Sequence, residues 1–423
     1  MKIDWNKQAD PEAVRGSTEL LRGGLPERAA PSPGLERLEA SPSGRTEGAT
    51  NGRSERERVE RLEEAISSEA MDASKGDQET IKREVVAGAR SALAKTFEDE
   101  APENFTLGEQ LGLEAVILTN GERPSLIVKD GFVDLQAPDI GDWDWALKRY
   151  KHDIQSVAAS VGRIEVPVNP GFAGTCFVLA AGLVVTNRHV LEAIATEAGG
   201  SWTLNWPDST TVDFLGEDGA TSSARFRVTG VAFAGSDAIE YRINFAHLDM
   251  AVLRLEPTGE TPFPKPLTFE TDDSQPKKKR HIYVLGFPGK PRRWMFDGVP
   301  DAGFESAEVL STIFNSKFGV KRLAPGEIKA GPGEVPGDTR HWICTHDAST
   351  LGGNSGSAMV NLTNDGLTVM GLHFGGSNRK QNWAHAVAKL QAQFLTISDC
   401  GRRSLLASAT RCGGDDRHPS HQG

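Results

Sequence analysis

The sequence predicts a mainly β protein with a helical or disordered N-terminal extension and a C-terminal helix. The β prediction rests on residues 166–376, where short apolar runs are broken by Gly, Pro, Asn and Asp, a pattern typical of a barrel or a sandwich. The clearest predicted strands are 175–179, 183–186, 251–255, 282–285 and 369–374. The extension is predicted from composition, because the first 54 residues hold few large apolar side chains.

Residues 1–54 are predicted to be disordered, since such a stretch buries too little apolar surface to offset its ordering entropy. Two amphipathic helices follow, one around Leu62 and Ile66 and one around Val85 and Leu93. Each has a single narrow apolar stripe. Such helices are either marginal or pack on the domain that follows, or they recruit a partner protein or mediate oligomerisation through residues 1–100, and the pattern leaves these alternatives open.

Next, an apolar run at 113–118 predicts a strand, a turn at 119–122 follows, and residues 125–129 are predicted to return as its hairpin partner. Residues 143–161 are predicted to be helical, as are residues 384–395 near the end of the chain. The predicted division of the chain is therefore 1–76 (charged, disordered, one marginal helix), 77–104 (helix and linker), 105–165 (hairpin plus helix), 166–400 (main β domain) and 401–423 (flexible tail).

Composition excludes several classes of function. A formal charge of −11 over 423 residues does not favour nucleic acid or an anionic membrane surface as a partner. No segment has the 18 or so consecutive apolar residues of a membrane span, and the first residues, MKIDWNKQADPEAVRG, lack the apolar stretch and small-residue cleavage site of a signal peptide, so a cytoplasmic location is predicted. The four cysteines match neither a zinc ribbon nor a CxxC pair, so buried thiols are expected, with no metal and no cofactor.

Residues 352–357, GGNSGS, hold the strongest candidate for a reactive group, Ser355. Acyl transfer by a serine needs a base, an acid that orients the base, and two backbone donors for the oxyanion. Glycines let the backbone turn sharply and point its N–H groups inward, so Gly353 and Ser355 are the candidate donors. The same residues also fit an ordinary Gly/Ser loop.

The candidate base is His189, which follows the apolar strand LVVT through a polar Thr-Asn-Arg corner. The candidate acid is Asp249 in HLDMAVLRL, because a carboxylate entering an apolar strand needs a partner such as an imidazole. Taken alone, His189 could be a buried structural histidine and Asp249 a turn residue.

The motifs TNRHV, DMAVLRL, GFPG and GGNSGS, in that order, resemble the chymotrypsin-like (trypsin-like) serine peptidases, most closely the bacterial glutamyl-endopeptidase branch. The resemblance covers roughly residues 166–398 and implies two antiparallel six-stranded β-barrels with the active site between them. It implies a serine endopeptidase with a protein or peptide substrate. His189 and Asp249 would lie on the first barrel and Ser355 on the second.

The same resemblance implies a specificity. Ser349 stands where trypsin-like members have Asp, so Lys or Arg is not expected before the cleaved bond. Thr350 and His373 match the Thr and His of glutamyl endopeptidases and can both donate to a carboxylate or amide oxygen. Glu is predicted first and Gln second. Asn354 replaces the Asp that pairs with a new α-amino group in the chymotrypsin branch, so activation by that charge pair is not expected.

Two alternatives to an active enzyme follow from the sequence. One is a catalytically silent peptidase fold that binds a partner protein. The other is an adaptor that acts through its N-terminal helices.

Overall fold

The computed structural model describes ten parts of the chain: residues 3–22, 54–68, 75–168, 171–240, 243–290, 309, 317–363, 366–377, 381–394 and 397. The predicted flexible tail from residue 401 lies outside the described residues, as do Cys400, Cys412 and residues 23–53.

The N-terminal part of the chain forms a helical unit with its own apolar core. Its helices are α1 (Pro11–Arg22), α2 (Glu55–Ser68), α3 (Lys75–Phe97) and α4 (Leu107–Thr119). The core contains Val14 of α1, Leu62 of α2 and Leu93 of α3, each fully buried. The prediction of disorder over residues 1–54 is therefore wrong for α1, because its few apolar residues all face this core and need no long apolar run.

The predicted strand at 113–118 is also wrong, because these residues belong to α4. The residue before the helix, Thr106, is its N-cap, and the side chains of Thr106 and Glu109 form a reciprocal capping box. It is buried on nearly every side, so its apolar residues show no helical periodicity, and a short apolar run cannot distinguish a strand from a buried helix. A Cβ on Gly112 would overlap the α3 backbone, so glycine permits this close packing.

A lead-in segment connects the helical unit to the β domain. Strand β1 (Leu126–Lys129) pairs with β2 (Phe132–Val133) around the Asp130-Gly131 turn, and not with residues 113–118 as predicted. Two short helices follow, α5 (Asp144–Arg149) and α6 (Lys151–Ala158). The helical prediction for 143–161 holds up to residue 158, and Val161 already begins the next strand.

The first barrel closes with six antiparallel strands in the order β10-β5-β4-β3-β8-β9. The elements of this half are β3 (Val161–Glu165), β4 (Phe172–Ala180), β5 (Leu183–Thr186), α7 (Arg188–Ile194), β6 (Ala195–Ala198), β7 (Ser201–Leu204), β8 (Thr211–Asp213), β9 (Arg225–Ala234) and β10 (Ala251–Pro257). Strands β6 and β7 form a separate hairpin. The core of this barrel includes Val178, Phe226 and Leu253.

The second barrel is closed by the pairing of β11 with β12, in the order β11-β14-β15-β16-β13-β12. Its strands are β11 (His281–Gly286), β12 (Arg322–Ala330), β13 (Ile343–His346), β14 (Ala358–Thr363), β15 (Gly366–Ser377) and β16 (Gln381–Ala386). Strand β1 extends this sheet by pairing with β12. The helix predicted over 384–395 is wrong for residues 384–386, which end β16, and a 3₁₀ turn at Val387–Leu390 follows.

The two six-stranded barrels confirm the predicted mainly β fold, and all five clearest strand predictions lie in β4, β5, β10, β11 and β15. A shared apolar core joins the barrels, with Val185 from the first and Leu285 from the second. Cys176 and Cys344 are buried free thiols. Among the described residues no helix is both long and apolar enough to span a membrane.

Candidate active site

His189 and Asp249 meet at the shared edge of two paired strands. Strand β5 ends at Thr186, and Thr186 is opposite Ala251, the first residue of β10. His189 lies three residues after the end of β5 and Asp249 two residues before the start of β10, so both lie at the same end of the barrel. His189 Nδ1 is 2.6 Å from Asp249 Oδ2, and the His189 backbone N–H donates to Asp249 Oδ1 at 2.9 Å.

The charges of this pair are set by burial and by mutual attraction. Burial by itself would raise the pKa of Asp249, but the attraction of His189 and the two hydrogen bonds outweigh it and lower that pKa. Burial would likewise lower the pKa of His189, but Asp249 raises it above its ordinary value. An ionised Asp249 on Nδ1 keeps the proton there, so Nε2 is the nitrogen that can accept a proton.

Ser355 lies in a loop fixed on both sides by backbone hydrogen bonds. Its carbonyl accepts from Thr175 N of β4 at 2.8 Å, and Gly356 N donates to the His373 carbonyl of β15 at 2.9 Å. Gly353 and Gly356 have φ angles of 94° and 89°, in the left-handed region that glycine adopts without strain. The loop therefore has one well-defined path between the barrels.

The Ser355 loop and the His189 helix approach each other over Gly174 of β4. A Cβ on Gly174 would lie 2.8 Å from Val190 Cγ2, next to His189, and 3.1 Å from the Ser355 carbonyl oxygen. The backbone of the Ser355 loop and the helix that carries His189 are thus neighbours on β4. Among the described residues, no hydrogen bond joins His189 Nε2 to Ser355 Oγ, a contact that often tightens only when substrate binds.

Two backbone donors in the loop remain available. Within the described part of the chain, the N–H groups of Gly353 and Ser355 donate no hydrogen bond, whereas Asn354 N donates to Leu351 O and Gly356 N to His373 O. A side chain at Gly353 would lie within 2.6 Å of the Phe287 carbonyl. These two amides are the predicted oxyanion donors, and the structure leaves both uncommitted.

Thr350 and His373, the predicted specificity residues, are linked through β16 and β13. Thr350 Oγ1 donates to Asn382 Oδ1 at 2.7 Å, and Asn382 is opposite His346 in the sheet. His346 Nε2 in turn lies 3.2 Å from His373 Nδ1, and both rings are buried. The structure therefore brings the two residues to one wall of the second barrel.

The buried histidine pair has a preferred arrangement of protons. His346 Nδ1 is buried without a hydrogen-bond partner among the described residues. A buried N–H without an acceptor is costly, so the proton of His346 is assigned to Nε2, which donates to Nδ1 of His373. His373 then carries its own proton on Nε2. Burial, together with repulsion from His346 and His189, keeps the pKa of His373 well below its ordinary value, so its ring is neutral at rest.

Comparison with known proteins identifies the family to which this chain belongs. Residues 174–371 match the family model of the trypsin-like peptidase domain. A probable serine protease of Lysobacter enzymogenes is 30% identical over 360 residues, which cover 81% of this chain and 88% of the relative. The chain belongs to the trypsin-like serine proteases.

Two weaker similarities were also found. A glutamyl endopeptidase of Staphylococcus epidermidis is 25% identical over 244 residues, covering 56% of this chain and 66% of that protein. A solved structure of the Rv3671c protease of M. tuberculosis in an inactive form has 19% sequence identity, covers 60% of this chain and 95% of that chain, and gives a TM-score of 0.33.

Two histidines of the protease that sequence reasoning missed lie next to the predicted residues. His346 supports His373, and His385 Nε2 accepts a hydrogen bond from the Asp249 backbone N–H at 3.1 Å. Burial lowers the pKa of each to about 4, so both rings are neutral. His385 is 136 residues from Asp249, and no local pattern in the sequence indicates the contact.

Proposed function

We propose that this serine endopeptidase cleaves peptide bonds with a triad of Ser355, His189 and Asp249. The observation that carries the proposal is the 2.6 Å contact between His189 Nδ1 and Asp249 Oδ2, next to the Ser355 loop, which is hydrogen-bonded to β4. A structural histidine would not need an ionised, buried carboxylate on one nitrogen and no described partner on the other.

In this mechanism the Ser355 Oγ attacks the carbonyl carbon of the substrate while its proton passes to His189 Nε2. The Gly353 and Ser355 amides donate to the oxyanion that forms, and Asp249 stabilises the imidazolium. His189 then gives the proton to the leaving amine, and the C–N bond breaks to leave an ester on Ser355. A water molecule, deprotonated by His189, hydrolyses that ester and restores the serine.

We also propose that Thr350 and His373 select Glu or Gln before the cleaved bond. The proposal is supported by the neutral His373, whose Nε2–H is a donor, and by Thr350 on the same wall. It is supported as well by the similarity to a glutamyl endopeptidase. Because the Thr350 hydroxyl already donates to Asn382, the resting pocket offers one donor and one acceptor, which a Gln amide matches directly.

A Glu substrate is expected to need a proton from solution. Its carboxylate raises the pKa of His373 on binding, and the ring takes up a proton that it lacks at rest. The ratio of kcat/KM for Glu peptides to kcat/KM for matched Gln peptides should therefore rise as the pH falls from 9 to 6, by up to about tenfold per pH unit. Titration of His189 affects both peptides equally and cancels in this ratio.

The matched control for this ratio is His373→Gln, in which the ratio should no longer change with pH. A pH-independent ratio in the wild-type protein would contradict the role assigned to His373.

Cleavage-site profiling on a peptide library tests the proposed specificity directly. Cuts are expected after Glu and Gln, with Glu gaining at acidic pH. Cuts after Lys, Arg or large aromatic residues would contradict the pocket proposed from Thr350 and His373.

A further inference from the structure

Thr350 belongs to a four-residue segment, 347–350, whose residues hydrogen-bond alternately to Arg123 on one side and Asn382 on the other. On one side, Arg123 Nε and Nη2 donate to the two carboxylate oxygens of Asp347, both at 2.7 Å. Two residues later, the Ser349 hydroxyl donates to the Arg123 carbonyl at 2.6 Å. Arg123 therefore binds this segment with its side chain and with its backbone.

Asn382 of β16 anchors the other side of the same segment. Its Nδ2 donates to the Ala348 carbonyl at 2.8 Å, and its Oδ1 accepts from the Thr350 hydroxyl at 2.7 Å. The residues 347–350 thus bond in turn to Arg123, Asn382, Arg123 and Asn382. Movement of either anchor would displace the Thr350 hydroxyl from its place in the pocket.

The Arg123 anchor is a buried charge pair. Arg123 is 4% exposed, and a two-pronged contact between a guanidinium and a carboxylate is strong and fixes orientation. Burial would raise the pKa of Asp347, but the attraction and hydrogen bonds of Arg123 lower it, so the pair is ionised. Asp347 is held further by the Glu327 backbone N–H at 2.7 Å.

Arg123 comes from the chain ahead of both barrels, between α4 and β1. Strand β1 pairs with β12, with Leu126 opposite Leu323, and this pairing fixes the connection on the second barrel. The serine loop itself, residues 351–357, carries no charged side chain. Its Asn354 Oδ1 accepts a hydrogen bond from the Ser357 hydroxyl at 3.4 Å. The basic partner of this buried ion pair, Arg123, therefore comes from the lead-in segment, and the pair holds segment 347–350.

We propose that Arg123 is a positioning residue for substrate selection, which it exerts by holding segment 347–350 and with it Thr350. The lead-in segment is then part of the working protease and not only a linker. This inference rests on the specificity proposed for Thr350 and His373. A displacement of about 1 Å at a binding group can cost on the order of 10²-fold in rate, so loss of this anchor should be visible in kinetics.

Arg123→Met tests the inference, with Arg58→Met as the matched control. Arg58 is also 4% exposed and also pairs with a carboxylate, Glu122 at 2.6 Å. Glu122 precedes Arg123 and its carbonyl accepts from Arg123 Nη1, so this control also reports how far a disturbance next to Arg123 in the chain affects selectivity without removing the bonds to segment 347–350. Both variants should lower the melting temperature. Only Arg123→Met should lower kcat/KM for Glu and Gln peptides, by about 10²-fold, chiefly through KM, and so reduce the preference over Ala peptides.

Labelling of Ser355 by a small fluorophosphonate separates this inference from the proposed mechanism. The reagent does not occupy the side-chain pocket, so its rate should be the same in Arg123→Met, Arg58→Met and the wild type. Arg123→Lys keeps the charge with fewer hydrogen bonds and should give an intermediate loss of selectivity, which keeps the test possible if Arg123→Met does not fold. The inference is overturned if selectivity is unchanged in both Arg123 variants, or if Arg58→Met changes it equally. Absence of labelling in the wild type would instead contradict the proposed nucleophile.

Discussion

Replacing Ser355 with Ala is expected to lower kcat by about 10⁶-fold, because the hydroxyl oxygen is the atom that forms the ester in the proposed mechanism. The loop should keep its shape, since its hydrogen bonds to Thr175 and His373 use backbone atoms. Peptide binding should therefore be retained while turnover is lost. Hydrolysis of a Glu or Gln peptide, measured beside the dissociation constant of an uncleaved peptide, checks both parts.

Ser357→Ala is the matched control for this loss. Ser357 lies in the same loop, and its hydroxyl contacts only Asn354 at 3.4 Å among the described hydrogen bonds, so most of the activity should remain. Equal turnover in Ser355→Ala and the wild type would contradict a nucleophilic Ser355. It would favour a peptidase fold that acts by binding.

The second large effect is expected for Asp249→Asn, which should lower kcat by about 10⁴-fold. An Asn side chain can present an N–H to His189 Nδ1, and the ring would then carry its proton on Nε2, where it cannot accept the proton of Ser355. The pH profile should change as well. In the wild type His189 is charged and inactive at low pH, so activity rises with pH through a pKa that Asp249 raises above its ordinary value.

Loss of the Asp249 charge lowers the pKa of His189, so in Asp249→Asn the remaining activity should rise at a lower pH than in the wild type. Asp213→Asn is a suitable control, because Asp213 is also buried but accepts only from the backbone N–H groups of Leu215 and Ala224 among the described hydrogen bonds. Asp213→Asn should lower the free energy of unfolding and leave the pH dependence of activity unchanged. If activity rises at the same pH in Asp249→Asn as in the wild type, the assignment of Asp249 as the partner of His189 is contradicted.

The catalytic candidates were predictable because each follows a local rule. His189 and Asp249 both adjoin apolar strands, and paired strands bring such ends together, as the register of Thr186 with Ala251 shows. The Ser355 loop was predictable from its glycines, two of which have positive φ. The barrel strands were predictable because turn residues separate them clearly.

The helical unit was harder to predict. Helix α4 is enclosed on nearly every side, so the sequence shows an apolar run without a helical period. Helix α1 was missed because the low average hydrophobicity of residues 1–54 hides the few apolar side chains that reach the core, Val14 and Leu21 among them. Tertiary packing contributes much of the stability of both helices, and in α4 it adds to the local capping box of Thr106 and Glu109.

Contacts between distant parts of the chain left no signal in the sequence. Arg123 and Asp347 are 224 residues apart, and neither lies in a recognisable motif. His346 and His385 are ordinary strand residues until the sheet places them beside His373 and Asp249. The sequence therefore indicated candidate catalytic residues but not the residues that contact them across the fold.

The central claim is that Ser355 is a nucleophile activated by His189. Its most direct test is the reaction of the full chain with a fluorophosphonate, followed by mass spectrometric location of the label. We expect one label per chain on Ser355, formed more slowly as the pH falls and lost in both Ser355→Ala and His189→Ala. A chain that stays unlabelled, or that carries the label on another residue, would contradict the claim.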